Sequence, residues 1–119
     1  MAIRVKRAYD EPSDSDGLRI LVGRLWPRGL KKEKARIDLW VKDVAPSTAL
    51  RRWYGHEPSK WEEFKKRYFA ELDGQPDAVR ELQQRCRRKS CTFLFSSKEA
   101  EKNNAVALKE YFQIRGNGF

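Results

Sequence analysis

Apolar and basic side chains alternate along Ile3-Arg4-Val5-Lys6-Arg7-Ala8-Tyr9, the two-residue period of a strand with one buried face. The acidic, turn-forming stretch from Asp10 to Gly17 follows, and it predicts a loop, the most mobile part of the chain. Between Leu18 and Trp26 the run Ile20-Leu21-Val22 is uninterrupted, as in a central strand covered on both faces. Pro27 cannot donate to a ladder and Gly29 tolerates positive φ, so this second strand is expected to stop at Trp26 and turn sharply.

Helical periods come next. Ile37, Trp40, Val41 and Val44 recur at i, i+3, i+4 and i+7, an amphipathic stripe that predicts a helix ended by Pro46. Ser47 is the expected N-cap of a short helix through Tyr54, closed by Gly55. Ser59-Lys60-Trp61-Glu62 has capping-box spacing, and Trp61, Phe64, Tyr68 and Leu72 share the inner face behind it. Gly74 closes that helix, and Pro76 suits the first turn of another whose stripe is Val79, Leu82 and Cys86. Cys91 to Phe95 reads as a further buried strand. Ser96, Ser97 and Glu99 are expected to start a last helix running to about Arg115, with Gly116 to Phe119 as a frayed tail.

These elements predict a single α/β domain: a small, mostly parallel three-stranded sheet covered by about five helices. A chain of 119 residues suits one domain. The eight residues of the first loop allow either an antiparallel hairpin or a tight parallel crossover.

Composition narrows the function classes. Lys and Arg number 26 against 17 Asp and Glu, a net charge of +9, which favours anionic partners but also serves solubility. No apolar run is long enough to span a membrane and Met1-Ala2-Ile3-Arg4 lacks a signal-peptide core, so a cytoplasmic protein is expected. Cys86 and Cys91, with His56 the only histidine, make neither a disulfide framework nor a zinc site; no metal or cofactor is expected.

Ligands of open α/β sheets bind beyond the carboxyl ends of the strands. Two loops qualify here, Arg24 to Lys32 and Ser96-Ser97-Lys98, and parallel neighbouring strands would bring them to one edge. Arg24, Arg28 and Lys98, with the hydroxyls of Ser96 and Ser97 and the N–H groups of a helix start, suit a phosphate or carboxylate. Alternatively Arg24 and Arg28 pair structurally with Asp38 or Asp43. Asn103 and Asn104, poor helix formers one turn into the expected last helix, point to a bond with a loop or ligand. His56 sits in a turn with no nucleophile identifiable beside it.

A second function class rests on the basic clusters Arg51-Arg52, Lys65-Lys66-Arg67 and Arg85-Arg87-Arg88-Lys89 on outer helix faces, which could contact nucleic-acid phosphates. Interleaved Glu57, Glu62, Glu63, Glu71 and Glu81 suit an ordinary solvated face instead. A third is a protein-interaction or regulatory domain.

The succession RLWPRGLKKEKARIDLWVKDVAPSTALRRWYGH, then WEEFKKRYFAEL, then a strand followed by NNAVALKEY, resembles the YeaO-like proteins, domain of unknown function 488. The resemblance spans nearly the whole chain and implies a small bacterial α/β protein of a family without an established activity. Longer relatives carry a helix where this chain has Asp10 to Gly17, which implies a shortened crossover and a parallel sheet. The family pattern transfers to Arg24, Trp26, Pro27, Arg28, Gly29, Lys98, Asn103 and Asn104. One departure stands out: where members usually place Asp before the Arg-Leu-Trp-Pro-Arg-Gly run, this chain has Gly23. Losing that acid implies binding rather than catalysis.

Overall fold

The computed structural model describes residues 2–115; the expected tail, Gly116 to Phe119, lies outside the described residues. Four strands form one sheet: β1 (Ile3–Arg7), β2 (Leu18–Leu21), β3 (Leu39–Trp40) and β4 (Cys91–Phe95), in the order β1-β4-β2-β3. All three pairings are parallel. β4 is central, every one of its residues is buried, and its register sets Val5 and Ile20 on either side of Phe93. The first two strands are therefore parallel, with β4 between them.

Five α-helices accompany the sheet among the described residues: α1 (Lys32–Ala35), α2 (Thr48–Tyr54), α3 (Trp61–Asp73), α4 (Pro76–Arg88) and α5 (Asn104–Arg115). The pleat sorts strand residues between two unequal faces. Ile20, Val22, Phe93 and Phe95 join Phe64, Tyr68, Leu82 and Leu108 of the helices in the main core. Each such side chain, once buried, contributes about 1.5–3 kcal/mol. On the opposite face Ala8, Leu21 and Leu94 meet only Trp26, Leu30 and Ile37. Irregular chain and the short α1, rather than the long helices, cover this second face.

The crossover from β1 to β2 is more structured than the loop read from its composition. Asp14–Asp16 form a 3-10 turn closed by a capping box between Ser13 and Asp16. Asp16 is buried, bonded to Arg19 at 2.7 Å and Lys6 at 3.1 Å. Arg19, itself buried, also donates to the Ala35 carbonyl at 2.9 and 3.1 Å. Gly17 has φ +64°, and a Cβ there would lie 2.1 Å from the Ser90 carbonyl oxygen. Only glycine fits this passage under β4.

Four expectations are corrected. The sheet has four strands, not three, because the stripe from Ile37 to Val44 is not a helix but β3 followed by a 3-10 turn, Lys42–Val44. The open edge of β2 claims this segment: Asp38 N–H donates to Arg19 O at 2.8 Å, and Val41 N–H to Leu21 O at 2.9 Å. Without them the edge would carry unpaired backbone groups.

β2 ends at Leu21 rather than Trp26, since side chains take its next carbonyls: Asn104 Nδ2 donates to Val22 O at 2.9 Å and Trp40 Nε1 to Gly23 O at 2.7 Å. The last helix starts at Asn104, not at Ser96, because Asn103 Oδ1 accepts from the Val106 N–H at 3.0 Å as an N-cap. Ser59 caps nothing; it lies in a 3-10 turn, Pro58–Lys60, that leads into α3. Ser47 does cap α2, through the Leu50 N–H at 3.1 Å, and Gly55 closes it with φ +53°.

Candidate functional site

The parallel pairing of β2 with β4 brings their carboxyl ends to one edge. A cavity of about 250 Å³ lies there. The exit of β2 supplies one wall, Gly23, Arg24 and Leu25, and the exit of β4 supplies another, Ser96 and Ser97. Arg51, Arg52 and His56 come from α2 and its C-terminal turn, while Lys102, Asn103 and Asn104 close the site at the start of α5. Tyr54 and Phe64, stacked with ring centroids 4.4 Å apart, form the apolar floor.

Local sequence explains each placement. Pro46 and the Ser47 cap start α2 beside the β2 exit, and its carbonyl end reaches Gly55 and His56 after seven helical residues. His56 follows Gly55 in the left-handed region, with φ 58°. A non-glycine residue pays about 1 kcal/mol there, and the reversal carries the imidazole back to the cavity. Arg24 Nε donates to Pro46 O at 3.0 Å, which fixes the guanidinium between the β2 exit and α2. Tyr54 Oη donates to Lys102 O at 2.9 Å and ties α2 to the segment between β4 and α5. Burial, and Glu99 behind it, hold the Tyr54 hydroxyl above its ordinary range.

The cavity's charge is one-sided. Three arginines, a lysine and a histidine line it, and no aspartate or glutamate does. Neither Arg51 nor Arg52 makes a side-chain hydrogen bond or ion pair among the described residues. By contrast the larger cavity of about 630 Å³ between β3 and α4 mixes Lys42 and Arg85 with Asp43, Asp77 and Glu81. A third, of about 350 Å³, borders the other side of Arg24 with Asp43 and Glu71. Guanidinium groups present planar forks to phosphate and carboxylate oxygens. The geometry suits holding an anion. It contains no pair of carboxylates for acid–base work, and no cluster of three or more metal-ligating side chains occurs among the described residues.

Of the residues expected at this edge, Arg24, Ser96, Ser97, Asn103 and Asn104 line the cavity. Arg28 and Lys98 are not among its lining residues. Arg28 lies across the β2 turn, where its carbonyl accepts from Tyr9 Oη at 2.7 Å. Asp38 bonds the Arg19 backbone at 2.9 Å and pairs with neither Arg24 nor Arg28. Both asparagines have structural partners: Asn103 Nδ2 donates to Glu99 O at 2.7 Å, and Asn104 reaches Val22.

Sequence reasoning assigns Arg51 and Arg52 to an outer helix face as candidate nucleic-acid contacts, leaves His56 in a turn without a partner, and does not single out Tyr54 or Lys102. The available signal was the Pro-Ser start of α2 and its Gly-His end, which together aim one short helix along the edge.

The basic helix faces are partly paired with neighbouring acids. Lys65 contacts Glu110 at 3.1 Å and Glu62 at 3.4 Å, Arg67 contacts Glu63 at 2.9 Å, and Arg85 contacts Glu81 at 3.6 Å. Burial alone would depress Lys65, but Glu110 and Glu62 outweigh it and raise it above its ordinary value. Lys66, Arg88 and Lys89 are exposed, as is Arg87, which makes a further contact. Cys86 and Cys91 are buried as free thiols in the main core, and the neighbouring Cys91 together with burial pushes Cys86 up. No helix is long and apolar enough to cross a membrane among the described residues.

Residues 2–115 match the family described as the inactive DUF488-N3 subclade. The chain is 38% identical over 113 residues to the uncharacterised protein YeaO of Escherichia coli strain K12, covering 95% of this chain and 98% of the relative. It is likewise 38% identical over 113 residues to the uncharacterised protein Rv3073c of Mycobacterium tuberculosis, covering 95% of each. No solved structure matches the chain. With a family model spanning its whole described length and relatives that agree end to end, the chain belongs to the YeaO-like DUF488 family.

Proposed function

We propose that the chain binds a small phosphorylated or carboxylated molecule, without turning it over, in the cavity over the carboxyl ends of β2 and β4. One observation carries the reading: this cavity is lined by cations from α2, the β2 exit and the α5 start, and by no acidic side chain. Its position agrees with where open parallel sheets place their ligands. At about 250 Å³ it falls just below the usual range for drug-sized ligands, roughly 300–1,000 Å³. The ligand is accordingly small.

Two facts support binding over turnover. Gly23 stands at the cavity wall where an acidic side chain would offer a base, and the matched family is described as inactive. The test is thermal denaturation with and without inorganic phosphate, for the parent chain and an Arg51→Ala/Arg52→Ala double variant. Phosphate at ten times its Kd stabilises the parent by about 1.4 kcal/mol, several degrees in a domain of this size. Both arginines are exposed, so the variant folds, and it should lose that stabilisation. Equal stabilisation of parent and variant would overturn the reading.

A further inference from the structure

Resting on that reading, we infer that the cavity's ligand is a small phosphate monoester rather than a carboxylate, selected by charge. Arg24, Arg51, Arg52 and Lys102 bring four formal positive charges to one cavity of about 250 Å³, with no lining acid to offset them. A carboxylate neutralises one of these charges. A phosphate monoester carries about −1.5 to −2 at neutral pH and offers three acceptor oxygens. The neighbouring carboxylates stand outside this lining: Asp43 and Glu71 border the far side of Arg24, and Glu99, which acts on Tyr54, accepts from the Glu101 N–H through Oε2 at 2.9 Å.

The donors also come from three separate segments, the β2 exit, α2 and the start of α5. Arg24 is pinned at Pro46 O, at the β2 exit, with its terminal guanidinium nitrogens making no hydrogen bond or ion pair among the described residues. Arg51 and Arg52 are successive residues of α2, and Lys102 belongs to the segment before α5 that the Tyr54 hydroxyl tethers to α2. A planar carboxylate presents its two oxygens on one side. A tetrahedral phosphate meets donors from separate walls at once. The apolar floor of Tyr54 and Phe64 then fits the ester portion, which distinguishes a monoester from free phosphate.

The decisive experiment is calorimetric titration at fixed neutral pH and low salt with three ligands sharing one ring: phenyl phosphate, a dianion; methyl phenyl phosphate, a monoanion of similar shape; and benzoate. Phenyl phosphate should bind at least about tenfold tighter than either monoanion, and inorganic phosphate more weakly than phenyl phosphate. In Arg52→Gln, which leaves the fold intact, the preference for phenyl phosphate over benzoate should shrink several-fold. Equal affinity for the three ring ligands overturns the phosphate inference while leaving an anion site in place. Binding of none of them overturns the anion site as well. A 5′-phosphorylated oligonucleotide that binds tenfold tighter than phenyl phosphate would overturn the assignment to a small molecule.

Discussion

Asn104 Nδ2 donates to the Val22 carbonyl at 2.9 Å, so the first residue of α5 holds the exit of β2 open at the level where the ladder stops. The same bond fixes the spacing between two walls of the candidate cavity. Removing it in Asn104→Ala leaves the carbonyl of buried Val22 without this donor, which costs about 1–3 kcal/mol. Urea denaturation should show that loss with an unchanged m-value, and anion affinity should fall with it. Unaltered stability would mean the bond does not organise this edge.

Asp16 offers a test of the other face of the sheet. Burial raises its pKa, but the Ser13 backbone bond, Lys6 and Arg19 outweigh burial and hold it below the ordinary carboxylate value. Asp73 is lowered too, by Arg115 and Tyr111. A depressed folded-state pKa contributes stability that is fully present above the unfolded-state value, near 3.9, and is lost as pH falls through the folded-state value. The melting temperature should therefore hold steady from neutral pH to about 5 and decline steeply below about 4. Asp16→Asn leaves buried Arg19 without its counter-charge, a loss of about 3–5 kcal/mol, and should flatten that acid decline.

Tyr54→Phe isolates the tether between α2 and the β4–α5 segment, since only the bond to Lys102 O is removed. A cost of about 1 kcal/mol is expected. Hydrogen exchange should quicken over residues 96–103 more than in α3 or β4. Uniform quickening across the chain would place the effect in global stability rather than in the tether.

Gly23→Asp probes the charge of the cavity directly. A Cβ at this position meets nothing within 4 Å and its φ lies outside the left-handed region, so the substitution has room. Folding stability should change by less than about 1 kcal/mol. The new carboxylate at the cavity wall should weaken phosphate binding by about tenfold or more, measured by calorimetry. Unchanged affinity would mean that the anion lies elsewhere.

Much of this architecture was readable before any coordinates. β1, β4, α2, α3 and α4 followed from period, caps and terminating glycines, because their apolar faces agree with their final packing. β3 was not legible: Ile37, Val41 and Val44 keep a helical spacing, yet Ile37 packs on the minor face and Val44 in the main core. Pairing to the β2 edge overrode the local pattern. The start of α5 was misplaced because Ser96 and Glu99 imitate a cap, whereas Asn103 makes the capping bond. At the site, Arg24 and the Ser96 wall follow from strand-end logic, and Asn104 from its poor helix propensity beside a helix start. Arg51, Arg52 and His56 depend on how α2 packs across the sheet edge, a tertiary relation that spacing does not encode.

The most direct measurement is a titration of the isotope-labelled chain with phenyl phosphate, followed by backbone amide NMR shifts. Saturable shifts confined to residues 23–25, 51–56 and 96–104 are the predicted result. Shifts centred on Lys66 and Arg88, or no saturable shift at millimolar ligand, would contradict an anion site at the strand ends.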